Sequence, residues 1–278
     1  MSPMLEIETG NFAISRWVVC PPNSLKIVNW NINRGLQLQK VIQFLAGAKP
    51  DIVLLQECDL NARRTHHLNI AREIAQQLQL NYVFGREFQE LTQGSRRSPA
   101  YHGQSTLSRW PLSNSRILRF RKQSNFWRPH WFIPEIDPFQ ERIGGRLALV
   151  SEVDLGGKII VTYNLHLESR GDDGLRESQI EEALHDAGQY STNTPVLIAG
   201  DFNMNVSTGI SAVAIREARF QDAFVNQHPA TTPGSFFEDG RVIDWIFLRG
   251  PIRSRQPQVY RSISGSDHYP LSVTLILD

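Results

Sequence analysis

Several things are scarce in this 278-residue chain, and each scarcity excludes a class of protein. Two cysteines, Cys20 and Cys58, allow at most one bridge, so no disulfide framework holds the fold and a reducing compartment is expected. No window approaches the roughly 18 uninterrupted apolar residues that a spanning helix needs. Near the start, the longest apolar stretch runs only from Trp17 to Cys20, with acidic Glu6 and Glu8 upstream, which is too short for a secretion-signal core. A cytoplasmic, monomeric protein with no obligate protein partner is the expectation. Net charge is nearly absent too: 29 Lys and Arg stand against 28 Asp and Glu. A protein that grips nucleic acid by bulk charge alone is therefore excluded, and a polyanionic partner must be met by a local patch or a bound cation.

What is present is a hydrophobic fraction of 41%, ample for a large core, without low-complexity tracts or short-period repeats. Leu25 to Ile32 reads LKIVNWNI, a β-branched strand. Leu36, Leu38, Val41, Ile42 and Leu45 then recur at helical spacing until Lys49-Pro50 stops them. DIVLLQE follows as a buried strand, and Leu68 to Leu78 as a second helix. The second half repeats the plan with KIIVTYNLHL, the helix LRESQIEEALHDAG and the strand VLIAGDFN, before strands at RVIDWIFL and PLSVTLIL. A further edge strand is expected around Phe12 to Cys20. The reading is one α/β domain over residues 26–278 built from two similar halves, with residues 1–25 as an extension packed on it.

The strands deliver polar residues at their carboxyl ends: Asn29 and Asn31, Gln56 and Glu57, His166 and Glu168, Asp201 and Asn203. Open α/β folds bind ligands at such ends, so these groups are expected to face a common cleft. Taken singly each has an ordinary explanation: a solvated strand end for Glu57, a turn for Asp201 to Asn203, a core histidine for His166. Adjacent His66 and His67 read as solvated, and Cys58 as a packed thiol.

The ordered set carries more. WNIN at 30–33, QE at 56–57, NLHLES at 164–169, GDFN at 200–203, IDWIFL at 243–248 and SDHYPL at 266–271 resemble the endonuclease/exonuclease/phosphatase superfamily, whose members include DNase I and neutral sphingomyelinases. The resemblance runs from about Lys26 to the C-terminus. It implies a four-layered α/β-β/α sandwich of two packed mixed β-sheets, and phosphate-ester hydrolysis with Mg2+ or Mn2+. Residue by residue it implies that Glu57, Asn31 and Asp267 hold the metal, and that Asp201 and Asn203 position or activate the attacking water. It further implies that His268, oriented by Asp244, contacts the scissile phosphate, with His166 and Arg146 also on the phosphate side. The chemistry is compatible: magnesium is a hard cation that takes carboxylate and amide oxygens, and no Cys/His cluster at ligand spacing competes for zinc.

Substrate class rests on weaker signals. The run at 166–169 with Arg176 and Gln179 resembles the tyrosyl-DNA phosphodiesterase branch, but that branch usually has an arginine soon after its Gly-Asp-x-Asn motif, where this chain has Met204-Asn205. Between Arg86 and His130 nine basic residues face two acidic ones, leading into Phe126, Trp127, Arg128, His130, Trp131 and Phe132. Basic residues with interleaved rings suit a groove that tracks a DNA strand, with Arg128, Trp127 and Trp131 as candidate contacts. The same segment also suits a lipid surface, so a phospholipid or sphingomyelin phosphodiesterase is an alternative, as is an inositol or sugar phosphatase. A catalytically silent module binding nucleic acid or membrane is the non-enzymatic alternative.

Overall fold

A computed structural model describes residues 6–14, 22–128, 130, 132–134, 140–225, 228–234 and 239–277. The chain runs through β1 (Ile7–Gly10), β2 (Ser24–Arg34), α1 (Leu38–Ala48), β3 (Ile52–Leu60), α2 (Ile70–Leu78), β4 (Asn81–Glu90), β5 (Ala100–Ser108) and β6 (Leu112–Arg119). It continues through β7 (Arg142–Gly144), β8 (Leu147–Asp154), β9 (Ile159–His166), α3 (Asp173–Ala187), β10 (Val196–Asp201), α4 (Gly209–Glu217), β11 (Gln221–Asp222), β12 (Asp244–Arg249), β13 (Ile252–Val259) and β14 (Leu271–Leu277).

Two mixed sheets result. The first has the order β1-β4-β5-β3-β2-β14-β13, with β7 also paired to β4; the second has the order β11-β12-β10-β9-β8-β6. Each half contains one parallel pair joined by a helix, β2-α1-β3 and β9-α3-β10, and the other pairings are antiparallel. This is the repeated plan read in the sequence, and the reason is elementary: a parallel pair needs a long crossover, which a helix supplies.

Three apolar clusters define four layers. Leu25, Ile27, Ile52 and Leu54 of the first sheet meet Leu197, Ala199, Ile246 and Leu248 of the second between the sheets. Outside the first sheet, Val41 and Leu45 of α1 and Ile70, Ile74 and Ala75 of α2 pack on Val28, Trp30 and Val53. Outside the second, Ile180, Ala183 and Leu184 of α3 and Ile215 of α4 pack on Val161, Tyr163 and Ile198. The helices start and stop for local reasons. Asn69 and Asp172 cap α2 and α3 by accepting from Arg72 N and Leu175 N. Lys49 ends α1 in a left-handed conformation, and Pro50 offers no N–H to continue it.

Two expected boundaries differ. Leu36 is an exposed turn residue before α1 rather than part of its apolar face. A strand at Ile7–Gly10 is hydrogen-bonded to Tyr82–Gly85 of β4; of the strand expected around 12–20, residues 12–14 are not in a strand and 15–20 lie outside the described residues. Phe12 packs beside it on Tyr82, ring centroids 6.1 Å apart.

Candidate active site

In the second sheet the site begins as one row of the pairing register. His166 of β9 lies opposite Asp201 of β10, and Asp201 lies opposite Asp244 of β12. Residues in register on neighbouring strands share a face, so three functional side chains project together at the ends of β9 and β10. Gly200 permits this closeness: its φ is +154°, and a Cβ there would stand 1.9 Å from Leu165 O. Asp201 Oδ1 accepts the Asn203 N–H at 2.8 Å, and Asn203 itself has a left-handed backbone that turns the chain. Asn203 Nδ2 donates to Leu167 O at 3.1 Å.

His268 joins this row from the loop before β14. Its Nδ1 is 2.9 Å from Asp244 Oδ2, and its Nε2 is 3.7 Å from Asp201 Oδ2. The loop is anchored to the first sheet, because Ser266 Oγ donates to Asn31 O at 2.7 Å and Trp30 Nε1 donates to His268 O at 2.9 Å. Burial disfavours the His268 imidazolium, but the carboxylates of Asp244, Asp201 and Asp267 outweigh it and raise this histidine to about 10. Burial pushes the Asp244 carboxyl up as well, so the pair binds its shared proton tightly at neutral pH.

The first sheet presents its residues differently. Glu57 sits where the β3 registers with β2 and β5 slip, and its φ of +56° is left-handed. A bulge with such a backbone re-aims one side chain at a functional edge. Burial would raise the Glu57 carboxyl, yet His102, His166, Arg34 and His268 outweigh it and hold it well below the usual carboxylate range. Asn31 Nδ2 bridges the two sheets, reaching Glu57 Oε1 at 3.4 Å and Asp201 Oδ2 at 3.1 Å. Its Oδ1 accepts the Asn33 N–H at 3.0 Å, and its amide nitrogen ties the two carboxylates together.

The polar strand ends do not all face one cleft. Asn29 and Gln56 point between the sheets, where Gln56 Nε2 donates to Asn29 Oδ1 and Asn164 Oδ1, and Asn164 Nδ2 donates to Leu55 O and Ser105 O. The left-handed bulge at Glu57 turns it into the site while its neighbour Gln56 stays between the sheets. Glu168 is also buried, accepting from Trp127 Nε1 at 3.0 Å.

Two residues of the cluster went unread in the sequence. Glu87 occupies a bulge in β4, with Oε2 3.2 Å from His166 Nδ1 and Oε1 accepting from Arg146 Nη1 at 2.9 Å. Burial works against its charge, but His166 and Arg146 lower it to about 2. His102 of β5 is fully buried, with Nδ1 3.2 Å from Asp59 Oδ1. Glu87 lies in the stretch GREFQE, where a charged strand residue reads as solvent-facing, and His102 has no neighbour in sequence to mark it.

Other sequence-derived assignments are corrected by placement. Arg146 is only 3% exposed, its guanidinium taken up by Glu87, by Ser169 Oγ at 2.9 Å and by contact with both His166 ring nitrogens. It braces His166 from behind, and its Nη1 and Nη2 are committed to protein partners. Trp127 is 4% exposed and packs between Phe88 and Phe126, so it is not a surface stacking platform. Trp131 lies outside the described residues. Arg128 is exposed, and so is Phe126 at 49%, with the Arg170 guanidinium 4.8 Å from its ring centroid. Within the basic segment Arg109, Arg116 and Arg119 pair with Asp51, Asp186 and Glu6, which dissipates part of the charge excess. Asp267 is exposed at the rim, its Oδ1 3.0 Å from Ser266 Oγ. His66 and His67 are exposed, and the Cys58 thiol is buried and raised by that burial.

Two donor groups suited to a cation emerge among the described residues: Glu57 with His102 and His166, and Asp201 with Asp244 and His268, each with ligand atoms within 4.8 Å of one another. An ionised, partly exposed carboxylate at Glu57 with further donors around it fits a divalent ion. Asp267 belongs to neither group.

Comparison with known proteins agrees with this arrangement. The profile of the Endonuclease/Exonuclease/phosphatase family matches residues 28–268. A Bacteroides vulgatus protein of that description superposes with a TM-score of 0.68 at 17% identity, over 92% of this chain and 100% of its own. One from Beutenbergia cavernae gives 0.65 at 18% identity, over 92% of this chain and 72% of its own. TDP2 from Caenorhabditis elegans gives 0.61 at 16% identity, over 91% and 74%. No curated protein sequence matches the chain significantly. Members of the family are in general phosphoester hydrolases that depend on a divalent metal. With its matched motifs, its two-sheet fold and its cluster of carboxylates and histidines, the chain belongs to the Endonuclease/Exonuclease/phosphatase family.

Proposed function

We propose that this protein is a divalent-metal-dependent phosphodiesterase acting on DNA, including removal of adducts from DNA ends. The observation that carries the reading is the convergence of Glu57, Asp201 and the Asp244–His268 pair from two sheets onto one space bridged by Asn31. A phosphodiester repels nucleophiles, so its hydrolysis needs charge neutralisation, an aligned water and a stabilised leaving oxygen. Glu57, with Asp267 at the rim, would hold a dication, which would supply Lewis-acid stabilisation of the phosphoryl charge and of the leaving oxygen. Asp201 accepts a proton from the attacking water, and Asn203 Oδ1 orients that water. As the water oxygen bonds to phosphorus and the bond to the leaving oxygen breaks, the His268 imidazolium donates to a phosphoryl oxygen. His166, keyed by Glu87, faces the same phosphate between Glu57 and Asp201.

Support for DNA comes from the rim, where exposed Arg128, Phe126 and Arg170 lie on the segment linked to Glu168 through Trp127. Guanidinium groups meet backbone phosphates there, and a half-exposed ring stacks on a base. The likeness to TDP2 structures supports the fold of such an enzyme. Exposed Phe132, at 66%, favours a second reading in which this segment meets membrane lipid. The test is hydrolysis of a bis-phosphodiester reporter, duplex and single-stranded DNA, a 5′-phosphotyrosyl oligonucleotide and sphingomyelin, each with Mg2+ or Mn2+ and with EDTA. DNA turnover abolished by EDTA is expected; turnover of sphingomyelin alone overturns the DNA reading.

A further inference from the structure

His102 is fully buried at the floor of the site, opposite Asp59 in the β3–β5 register. Its Nδ1 lies 3.2 Å from Asp59 Oδ1, and its Nε2 is buried with no hydrogen-bond partner. Buried polar atoms are almost always paired, so an orphan imidazole nitrogen beside a carboxylate requires an explanation. Asp59 is fixed as an anion: Arg64 donates to it through Nε at 2.7 Å and Nη2 at 2.8 Å, and Thr65 Oγ1 lies 3.3 Å away. A carboxylate held by two Arg64 donors accepts, so Nδ1 is the ring nitrogen turned to Asp59, and Nε2 is the one left for another partner. His102 belongs, with Glu57 and His166, to a donor group whose ligand atoms lie within 4.8 Å of one another. His166 has both ring nitrogens engaged by Glu87 and Arg146, whereas His102 Nε2 is free.

We propose that Glu57 and His102 together form a mixed carboxylate–imidazole seat for a first-row transition-metal dication, filled by Mn2+ in preference to Mg2+. A carboxylate behind a histidine whose far nitrogen is free is the arrangement that holds metal-bound imidazoles, fixing the tautomer and raising ligand basicity. Magnesium demands near-ideal oxygen coordination and keeps its waters, while a first-row transition dication, Mn2+ included, tolerates one imidazole nitrogen among oxygen ligands more readily. Asp59 and Arg64 are then positioning residues that act through His102. The inference rests on the proposed hydrolase only for the use of the ion in turnover.

The test is electron spin-echo spectroscopy of Mn2+ bound to the full chain, with 14N and 15N-histidine samples compared, alongside calorimetric binding of Mn2+ and Mg2+. Coupling to one directly bound imidazole nitrogen is expected, lost in His102→Gln and kept in His166→Gln. Mn2+ affinity should fall about tenfold in Asp59→Asn and at least as far in His102→Gln, with Mg2+ affinity changed less than about twofold. Absence of nitrogen coupling at saturating Mn2+ in the wild type overturns the proposal, as does coupling that survives in His102→Gln or is lost in His166→Gln. Should His102→Gln fail to fold by circular dichroism, the wild-type, Asp59→Asn and His166→Gln spectra decide. The spectroscopy needs no substrate, so intact coupling without reporter hydrolysis removes only the hydrolase reading. Hydrolysis without coupling removes only this one.

Discussion

The two sheets furnish the same site by opposite means. In the second sheet His166, Asp201 and Asp244 are consecutive partners in an unbroken register, so ordinary strand pairing sets their spacing. In the first sheet Glu57 and Glu87 both stand at register slips, and Glu57 has a left-handed backbone. Regular pairing suits groups that must sit side by side, such as Asp201 between His166 and Asp244. A bulge suits a group that must leave the pleat to reach across to another sheet. The register row needs little outside support beyond Gly200. Of the two bulged residues, Glu87 is held by a buried ion pair with Arg146 behind it.

This contrast predicts separable failures. Asp201→Asn in the middle of the row should lower turnover about 10²- to 10⁴-fold with the melting temperature nearly unchanged, measured by steady-state kinetics and calorimetry. A large loss of stability instead would mean that the row is structural. Glu87→Gln should do the reverse in kind, costing about 3 kcal/mol of stability, because Arg146 is left buried without its ion-pair partner. Denaturant titration reads this. The wild-type Glu87 carboxyl is lowered to about 2, so its contribution is complete above its ordinary value and is lost as pH falls through about 2.

Asp244→Asn should leave the fold intact and move the pH profile. In the wild type His268 is raised from 6.5 to about 10, so activity that needs the imidazolium persists through neutral pH and falls as pH rises through about 10. Without the carboxylate the alkaline limb should move down toward neutrality, and a limb that stays near 10 would show that Asp201 alone holds the proton. The smallest expected effect is at the rim. Phe126→Ala should change stability by less than about 0.5 kcal/mol, yet weaken single-stranded DNA binding by about 1 kcal/mol in a salt-dependent titration. The adjacent Trp127→Ala, removing a buried ring, should instead cost about 3 kcal/mol of stability. Equal behaviour of the two would erase the distinction between them.

The near-neutral composition is resolved by the same geometry. Glu57, Asp201 and Asp244 gather at the site, while exposed Arg128, Arg121 and Lys122 lie on the segment leading to it. Much of the remaining basic segment is neutralised by Asp51, Asp186 and Glu6, residues distant in sequence that no count over a local window reveals.

The strand and helix plan was legible because apolar periodicity is a local property: both parallel units were visible as runs with period two or near 3.6. Glu57, Asp201 and His268 were legible because their motifs are contiguous and sit at strand ends. The short or half-polar strands β4, β6, β8 and β13 carried no such pattern, and neither did α4. Tertiary structure alone decided which polar strand ends enter the site. Gln56 and Glu57 are adjacent in sequence, and only a slip in pairing with β2 and β5 sends one between the sheets and the other into the cleft. It alone also turned Arg146 and Trp127 inward and brought Glu87 and His102 beneath the row. A sequence specifies which side chains are available and the period with which they alternate. Which of them share a face across two sheets is set by register, bulges and packing, and these depend on residues far apart in the chain.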